Sequence, residues 1–311
     1  MKIKIKFNIG SKVILKKLIA QLLILLISKK SFGLVMGASS ISRSGIGHAN
    51  VNTSDAHFNN PASLAHIDGA WFKVINSNWQ NSLSQSEKGW SFNLLENSVE
   101  TEIPMGISFS KSELTENENK ILENTFNLSL GNFIFPQTSL GISYEYKSMK
   151  DFLLNSKINS FHKFNIGIIY TTSPNLGISL SAANTIGNEN FDYGLGMTYL
   201  LEKNLKYNFD FSTNQNYISW RNSSMGVVEQ KIFSIGLENM ISEWFGWRFG
   251  VSRKYMSWNK KSEPYLNPGV VNGMGAGIGF NGPRFQINYG LNQEYGIVNS
   301  KSQSVDFLLP F

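Results

Sequence analysis

Ser302-Gln-Ser-Val-Asp-Phe-Leu-Leu-Pro-Phe311 closes the chain, and its reading decides the fold. Every second residue, Val305, Phe307, Leu309 and Phe311, is apolar. The other face carries Ser304, Asp306, Leu308 and Pro310 and is mostly polar. Alternation of period two marks a β-strand with one apolar side. A soluble domain rarely ends on such a strand with a bare phenylalanine carboxylate, whereas bacterial outer-membrane β-barrels commonly do. In those proteins the closing strand carries the signal that the barrel assembly machinery reads, so Phe311 is the residue expected to carry it here.

The same alternation recurs through the chain. Leu205, Tyr207, Phe209 and Phe211 alternate with Lys206, Asn208, Asp210 and Ser212. Phe245, Trp247, Phe249 and Val251 alternate with Gly246, Arg248, Gly250 and Ser252, and Leu140, Ile142, Tyr144 and Tyr146 with Gly141, Ser143, Glu145 and Lys147. Phe285, Ile287, Tyr289 and Leu291 do so with Arg284, Gln286, Asn288 and Gly290. Strands of this kind are expected near 70–78, 88–97, 101–110, 122–130, 138–148, 160–170, 174–184, 190–200, 205–213, 230–238, 243–252, 270–280, 283–291 and 302–311. Fourteen is an even number, as a single-chain bacterial barrel requires. Each strand is close to the roughly 9–11 residues that cross a bilayer at a tilt. The intervening segments alternate between long polar stretches, such as 79–87, 111–121, 149–159 and 214–229, and short turns. That is the layout of long outer loops and short periplasmic turns.

The other end is consistent with export. Met1 to Lys17 carries six lysines and no acid, and an apolar run from Leu18 to Ile27 follows, broken only by Gln21. The run is too short to span a bilayer but suits the core of a signal peptide. Residues 1–33 are therefore expected to be a signal peptide. Taking their eight lysines from the 28 basic residues leaves 20 against 22 acids, a net charge of −2. The basic balance belongs to the leader, and nothing in the remainder argues for nucleic acid. The chain has no cysteine, which excludes disulfides, thiolate metal sites and a lipid-modified N-terminal cysteine.

Between leader and first strand, residues 34–69 show no alternation and are rich in Gly, Ser, Asn and Ala. A fourteen-stranded barrel has a lumen wider than its own side chains fill. This segment is expected to fold into that lumen as a plug, with residues 70–311 forming the barrel. Within it stand Ser44-Gly-Ile-Gly-His-Ala-Asn50 and Asp55-Ala-His-Phe-Asn-Asn-Pro-Ala-Ser-Leu-Ala65. This pattern resembles the N-terminal signature of the FadL/PorV group of outer-membrane proteins, in which Asn-Pro-Ala precedes the first strand; Asn60, Pro61 and Ala62 are the matching positions. Asn175-Leu-Gly-Ile-Ser-Leu-Ser-Ala-Ala-Asn184, Gly236-Leu-Glu238 and Trp247-Arg-Phe-Gly-Val251 are similar to later parts of that group.

The resemblance implies an all-β, 14-stranded antiparallel transmembrane β-barrel with an N-terminal plug, in the cell outer membrane of a Gram-negative bacterium. FadL-type members pass fatty acids and other hydrophobic molecules and release them sideways through the wall, whereas PorV-type members are partners in protein secretion. The expected function is thus passive transport of fatty-acid-like hydrophobic or amphipathic molecules. The alternatives are a non-transporting partner in secretion or envelope assembly, and a general diffusion pore. Asn60, Pro61 and Ala62 are the candidate gate. Pro61 fixes φ and holds Asn60 extended, so the triplet is a turn builder in its own right. The expected partners are membrane lipid, the assembly machinery, a hydrophobic ligand or a secretion-system protein.

Other motifs carry less. Gly277-Ile-Gly-Phe-Asn-Gly282 spells a dinucleotide fingerprint, but a strand follows where a helix is required. Its parity says more, because Gly273, Gly275, Gly277 and Gly279 share one face opposite Met274, Ala276, Ile278 and Phe280. If the apolar face meets lipid, the inner wall there is bare backbone, which a plug could approach closely. His48, His57, His66 and His162 do not have the spacing of a metal set. No cofactor and no enzyme activity is expected. Trp71, Trp79, Trp90, Trp220, Trp244 and Trp258 lie near strand ends and are expected in the interfacial girdles, with Trp247 further in. Lys147, Lys163, Lys206, Asp210, Glu238, Arg248, Arg284 and Asp306 are expected to face inward and make the lumen polar.

Overall fold

A period-two sequence with one apolar face can bury that face in lipid only if no strand edge is left unpaired. A closed barrel is the arrangement that achieves this. The computed structural model has that form. It describes residues 37–44, 56–82, 85–116, 119–151, 157–186, 191–218, 226–258, 269–296 and 299–311. The expected signal peptide, 1–33, lies outside the described residues, as do His48 and most of the Gly-rich stretch before Asp55.

Fourteen antiparallel strands close the barrel: β1 (Gly69–Asn81), β2 (Gln85–Asn97), β3 (Met105–Glu116), β4 (Asn119–Phe135), β5 (Thr138–Asp151), β6 (Lys157–Ser173), β7 (Leu176–Thr185), β8 (Phe191–Glu202), β9 (Leu205–Ile218), β10 (Gly226–Met240), β11 (Phe245–Trp258), β12 (Gly269–Asn281), β13 (Gln286–Gly296) and β14 (Ser300–Pro310). Each strand pairs with its neighbours in sequence, and β1 pairs with β14 to close the ring. Ahead of β1 come two short helices, α1 (Ala38–Ser42) and α2 (Ala56–Asn59), and a 3-10 helix, η1 (Pro61–His66).

The faces fall as the alternation requires. Along β8, Phe191, Tyr193, Leu195, Met197 and Tyr199 are exposed on the outside, and along β14 so are Val305, Phe307 and Leu309. Ser304, Asp306 and Leu308 are buried on the inside. The outward side chains form the apolar band that meets hydrocarbon.

The strands run further than the apolar alternation alone indicates. Segments expected as long outer loops are largely strand: only 82–84 separates β1 from β2, 117–118 separates β3 from β4, and 152–156 separates β5 from β6. Above the hydrocarbon both faces turn polar, yet backbone N–H and C=O groups still need partners, and continued pairing supplies them. The expected contrast between long and short connections is correspondingly weak. On the opposite rim β3 begins at Met105, so the β2–β3 connection is longer than its neighbours. Arg284, expected inward on a strand from 283, lies instead in the exposed turn before β13, because Pro283 cannot donate to the ladder.

Two tryptophans also depart from the girdle. Trp71 and Trp79 share the inward face of β1 with buried Lys73 and Ile75. Trp71 packs with Leu64, Ile67 and Leu95, and its indole N–H donates to the Asp68 carbonyl at 2.6 Å. Trp90 and Trp244 remain exposed, as a girdle requires.

Candidate functional site

The N-terminal residues meet the barrel wall at two separate seats. The first is built around Asn60. With φ −149° and ψ 109° it is extended, as a residue before proline must be, and it caps η1 through Oδ1, which accepts the Ala62 N–H at 3.0 Å. Ser63 Oγ donates to the Asn60 carbonyl at 2.6 Å. The Asn60 amide also reaches the wall, 3.5 Å from the Ile168 carbonyl and 3.4 Å from that of Leu180. Asn60 and Ala62 are fully buried.

Such depth is available because the wall beneath has no side chains. Gly131, Gly141 and Gly167 stand directly opposite one another on β4, β5 and β6. A Cβ on Gly131 would fall 2.5 Å from the Pro61 carbonyl oxygen, one on Gly141 2.3 Å from the Ala62 nitrogen, and one on Gly167 1.9 Å from Asn60 Oδ1. Contacts that short do not occur between real atoms, so the row must be glycine for this triplet to seat. Asn97, at the end of β2, holds the far end of η1, its amide lying 3.1 Å from the Leu64 carbonyl and 2.5 Å from that of Ile67. His66 shares a hydrogen bond with Ser139 Oγ at 2.9 Å and sets its ring edge-on to Phe133. Burial holds its imidazole below the ordinary value of 6.5.

The second seat lies on β11–β14 and is partly ionic. The Ala38 N–H donates to Asp306 Oδ1 at 2.8 Å, and Asp306 Oδ2 lies 3.6 Å from Lys73 Nζ, with both side chains sealed from solvent. Arg43 lies 3.9 Å from Glu238, which also accepts from Arg248 Nε at 3.0 Å; Arg248 Nη1 donates to Asn288 at 2.9 Å. Ser44 Oγ is 2.8 Å from Ser252 Oγ. The bare face expected on β12 is the floor of this seat: a Cβ on Gly275 would come 2.7 Å from the Ile41 carbonyl oxygen, and one on Gly277 2.4 Å from Ser42 Cβ. Gly279 has a different role, since a Cβ there would crowd Asn288 and Arg248 rather than the plug.

Toward the other rim the inner wall of β1–β8 stays open. Lys147 pairs with Glu123 at 2.7 Å and Lys163 with Asp192 at 2.6 Å, yet the two lysine side chains remain 32% and 33% exposed. They face lumen rather than protein. On the same inward faces stand Trp79, Leu114, Ile121, Met149 and Phe161, all half-buried. The mixture is amphipathic, and greasier than the charges alone suggest. Two grooves lined by residues such as Leu128, Ile142, Phe164 and Leu180 lie on the outer face toward lipid and are not part of the lumen.

His162 lies on the outward face, where its Nδ1 is 2.7 Å from the Tyr144 hydroxyl. Phe311 follows β14 at the rim where β1 begins, its N–H donating to the Ala70 carbonyl at 3.1 Å.

No family model matches the sequence, and no curated protein matches it significantly. Solved structures do match the fold. The CymD monoaromatic hydrocarbon channel superposes with a TM-score of 0.66 at 11% identity, covering 90% of this chain and 99% of its own. A Pseudomonas aeruginosa FadL homologue gives 0.65 at 10% identity over 90% and 100%. The Ralstonia pickettii toluene transporter TbuX gives 0.60 at 10% over 89% and 98%. The chain has the FadL-type outer-membrane barrel fold. Within this FadL-type barrel the Asn60-Pro61-Ala62 triplet is placed at a seat. The glycine row, Asn97 and the Asp306–Lys73 pair that complete the two seats carry no motif in the sequence. Only inward parity together with cross-strand register brings them into view.

Proposed function

We propose that this barrel carries hydrophobic or amphipathic small molecules passively across the outer membrane of a Gram-negative cell. Residues 34–69 act as its plug, and Asn60, Pro61 and Ala62 as the movable part. The observation that carries this reading is the vertical arrangement of the lumen. Inward Trp79, Leu114, Ile121, Met149 and Phe161 form a greasy entry above a plug held at two discrete seats. A general pore has no need of either feature. The structural neighbours named as hydrocarbon and toluene channels support the same class of cargo.

Release through the wall finds no support in the pairing. β3 is paired without a break on both sides, and the irregular positions, such as Phe133/Phe135 and Thr171/Ser173, lie near strand ends. Release toward the periplasm past a displaced η1 is the simpler route. The alternative of a secretion partner draws on the short connections between β1 and β2, β3 and β4, and β5 and β6.

A cysteine pair tests the transport reading. The chain has no cysteine, and Ser44 Oγ and Ser252 Oγ are 2.8 Å apart. In S44C/S252C the oxidised pair would pin the plug. Uptake of a labelled alkane or arene into proteoliposomes should fall on oxidation and recover on reduction. Uptake no faster than through protein-free liposomes, together with a stoichiometric protein partner on gentle extraction, would replace transport with the partner role.

A further inference from the structure

The outer surface of the barrel changes character along one line. Val74, Phe92, Phe109, Phe126, Tyr146 and His162 stand opposite one another in a single outward row across β1–β6. Phe109 and Phe126 have ring centroids 5.1 Å apart, and so do Tyr146 and His162. On the periplasmic side of this row the outward positions are Phe72, Leu94, Ile107, Leu128, Tyr144 and Phe164. An aromatic row at the edge of an apolar band marks the boundary between hydrocarbon and headgroups.

Beyond that boundary the outward charges are nearly all of one sign. Lys88, Lys111, Lys120 and Lys150 on β2–β5 and Lys301 on β14 face outward, and among the described residues of these strands Glu113 is the outward carboxylate beside them. Glu113 pairs with Lys120 at 2.6 Å. The connections 82–84, 117–118, 152–156 and 297–299 contain one further acid, Glu118, and no lysine or arginine, so five cations stand against two acids, a balance of +3. The opposite rim of the same sector has the other sign. Glu96, Glu100 and Glu102 lie at the β2–β3 connection, and residues 98–104 and 131–137 contain no lysine or arginine.

The lysines also lie at a definite height. Residues on one face of a strand repeat about every 6.7 Å, which a tilt near 40° reduces to about 5 Å along the membrane normal. Lys111 is one such step beyond Phe109, and Lys88 and Lys150 are two steps beyond Phe92 and Tyr146. The headgroup layer of one leaflet is roughly 5–8 Å deep. The ammonium groups, on their flexible stems, therefore reach the level of lipid phosphates. Lys88 and Lys111 are diagonal neighbours across β2–β3, as are Lys120 and Lys150 across β4–β5. Diagonal Cβ atoms are about 7–8 Å apart, close enough for two ammonium groups to grip one phosphate. Two strand spacings, about 10 Å, separate one lysine pair from the other.

We propose that this outward collar docks a phosphorylated lipid of the outer leaflet, one whose headgroup carries two phosphates. One phosphate lies at Lys88 and Lys111, the other at Lys120 and Lys150, and the acyl chains run down over Phe109, Phe126, Ile107 and Leu128. The docking surface is independent of what the lumen carries.

The test is native mass spectrometry of the mature protein from detergent micelles holding equal amounts of lipid A with both phosphates and lipid A stripped of both. The phosphorylated adduct should dominate by about tenfold. K88Q/K111Q/K150Q/K301Q leaves the Lys120–Glu113 pair in place and should bring the ratio to about one. Both lipids compete on one sample, so the ratio is independent of the folded fraction, which band shift on heating checks separately. Equal adducts in the unaltered protein overturn phosphate recognition. A tenfold preference that survives in the variant overturns the assignment to these lysines. A preference removed by inorganic phosphate, but not by chloride at equal ionic strength, means that the collar takes the free anion and overturns the lipid assignment. Absence of both adducts removes the docking surface and leaves the transport reading as it stands.

Discussion

Gly141 faces Gly167 directly across β5 and β6, and Asn60-Pro61-Ala62 rests on the pair. Substituting Gly141 with Ala puts a methyl 2.3 Å from the Ala62 nitrogen, against backbone on both sides. The barrel strand itself gains nothing unfavourable, so the barrel should assemble while η1 is pushed off its floor. The expected cost to plug docking is about 1–3 kcal/mol, as for overpacking in a close-packed interior. Limited proteolysis should then cut within residues 56–66 in G141A but not in the unaltered protein, with heat-modifiable mobility unchanged.

Asn60 has two tasks, capping η1 and reaching the wall, and two substitutions separate them. Asn60→Ala removes both and should loosen the seat by about 1–2 kcal/mol. Asn60→Ser keeps a capping oxygen but cannot reach the Ile168 and Leu180 carbonyls, so it should recover only part of that loss. Hydrogen exchange of the Ala62 and Ser63 amides distinguishes them. Protection in Asn60→Ser as high as in the unaltered protein would mean that the wall contact contributes nothing, and protection as low as in Asn60→Ala that the cap does.

Lys73 and Asp306 form a sealed ion pair across the seam between first and last strands. Neutralising one member leaves the other charge buried, at a cost of about 3–5 kcal/mol, whereas removing both is far milder. D306N should therefore lower the unfolding midpoint in urea strongly, and K73M/D306N should restore much of it. Additive effects of the two single substitutions would contradict the coupling.

The plug should loosen in acid. The imidazole of His66 sits below its ordinary value of 6.5 because burial disfavours the charged form. A group depressed in this way contributes stability that is present above 6.5 and is lost as pH falls through 6.5 toward the lowered value. Protease protection of η1 should accordingly decline as pH falls below 6.5 and level off once pH lies below the lowered value. In H66Q that step should vanish while the hydrogen bond to Ser139 can still form.

Phe311 is proposed to act in assembly, and its removal tests this without disturbing a seat. Its side chain is half exposed and outside the lumen. Deleting it should lower the inserted, heat-modifiable fraction several-fold in cells while leaving refolding into detergent near that of the full chain. An equal loss in both settings would make its role one of stability.

The strand number, the two faces of each strand and the glycine face of β12 were legible because parity is local. Leu308, Asp306 and Ser304 point inward as soon as Phe307 points out. Strand ends were less legible. Residues such as Lys111 to Glu116 have no apolar face to announce them, and they pair because the backbone requires it. The first seat was half legible. Asn-Pro-Ala stands out as a motif, but Gly131, Gly141 and Gly167 lie 10 and 26 residues apart and align only once two strand registers are fixed. Trp71 and Trp79 were misassigned for a related reason. A tryptophan near a strand end suits a membrane interface, and only its parity with Lys73 and Ile75 turns it inward.

The Asp306 carboxylate consequently acts as a clock. It belongs to the last strand, yet one of its oxygens holds Ala38, near the start of the described chain, and the other faces Lys73 on the first strand. The seat of Ala38 is thus complete only once the two ends of the sheet have zipped together. A barrel still open at this seam can seat Asn60-Pro61-Ala62 on β4–β6 but cannot complete the second seat, and the segment once docked there ties both ends of the sheet. Completion of this seat is expected to follow closure of the ring, so a chain docked at the Asp306–Lys73 pair marks a barrel that has closed.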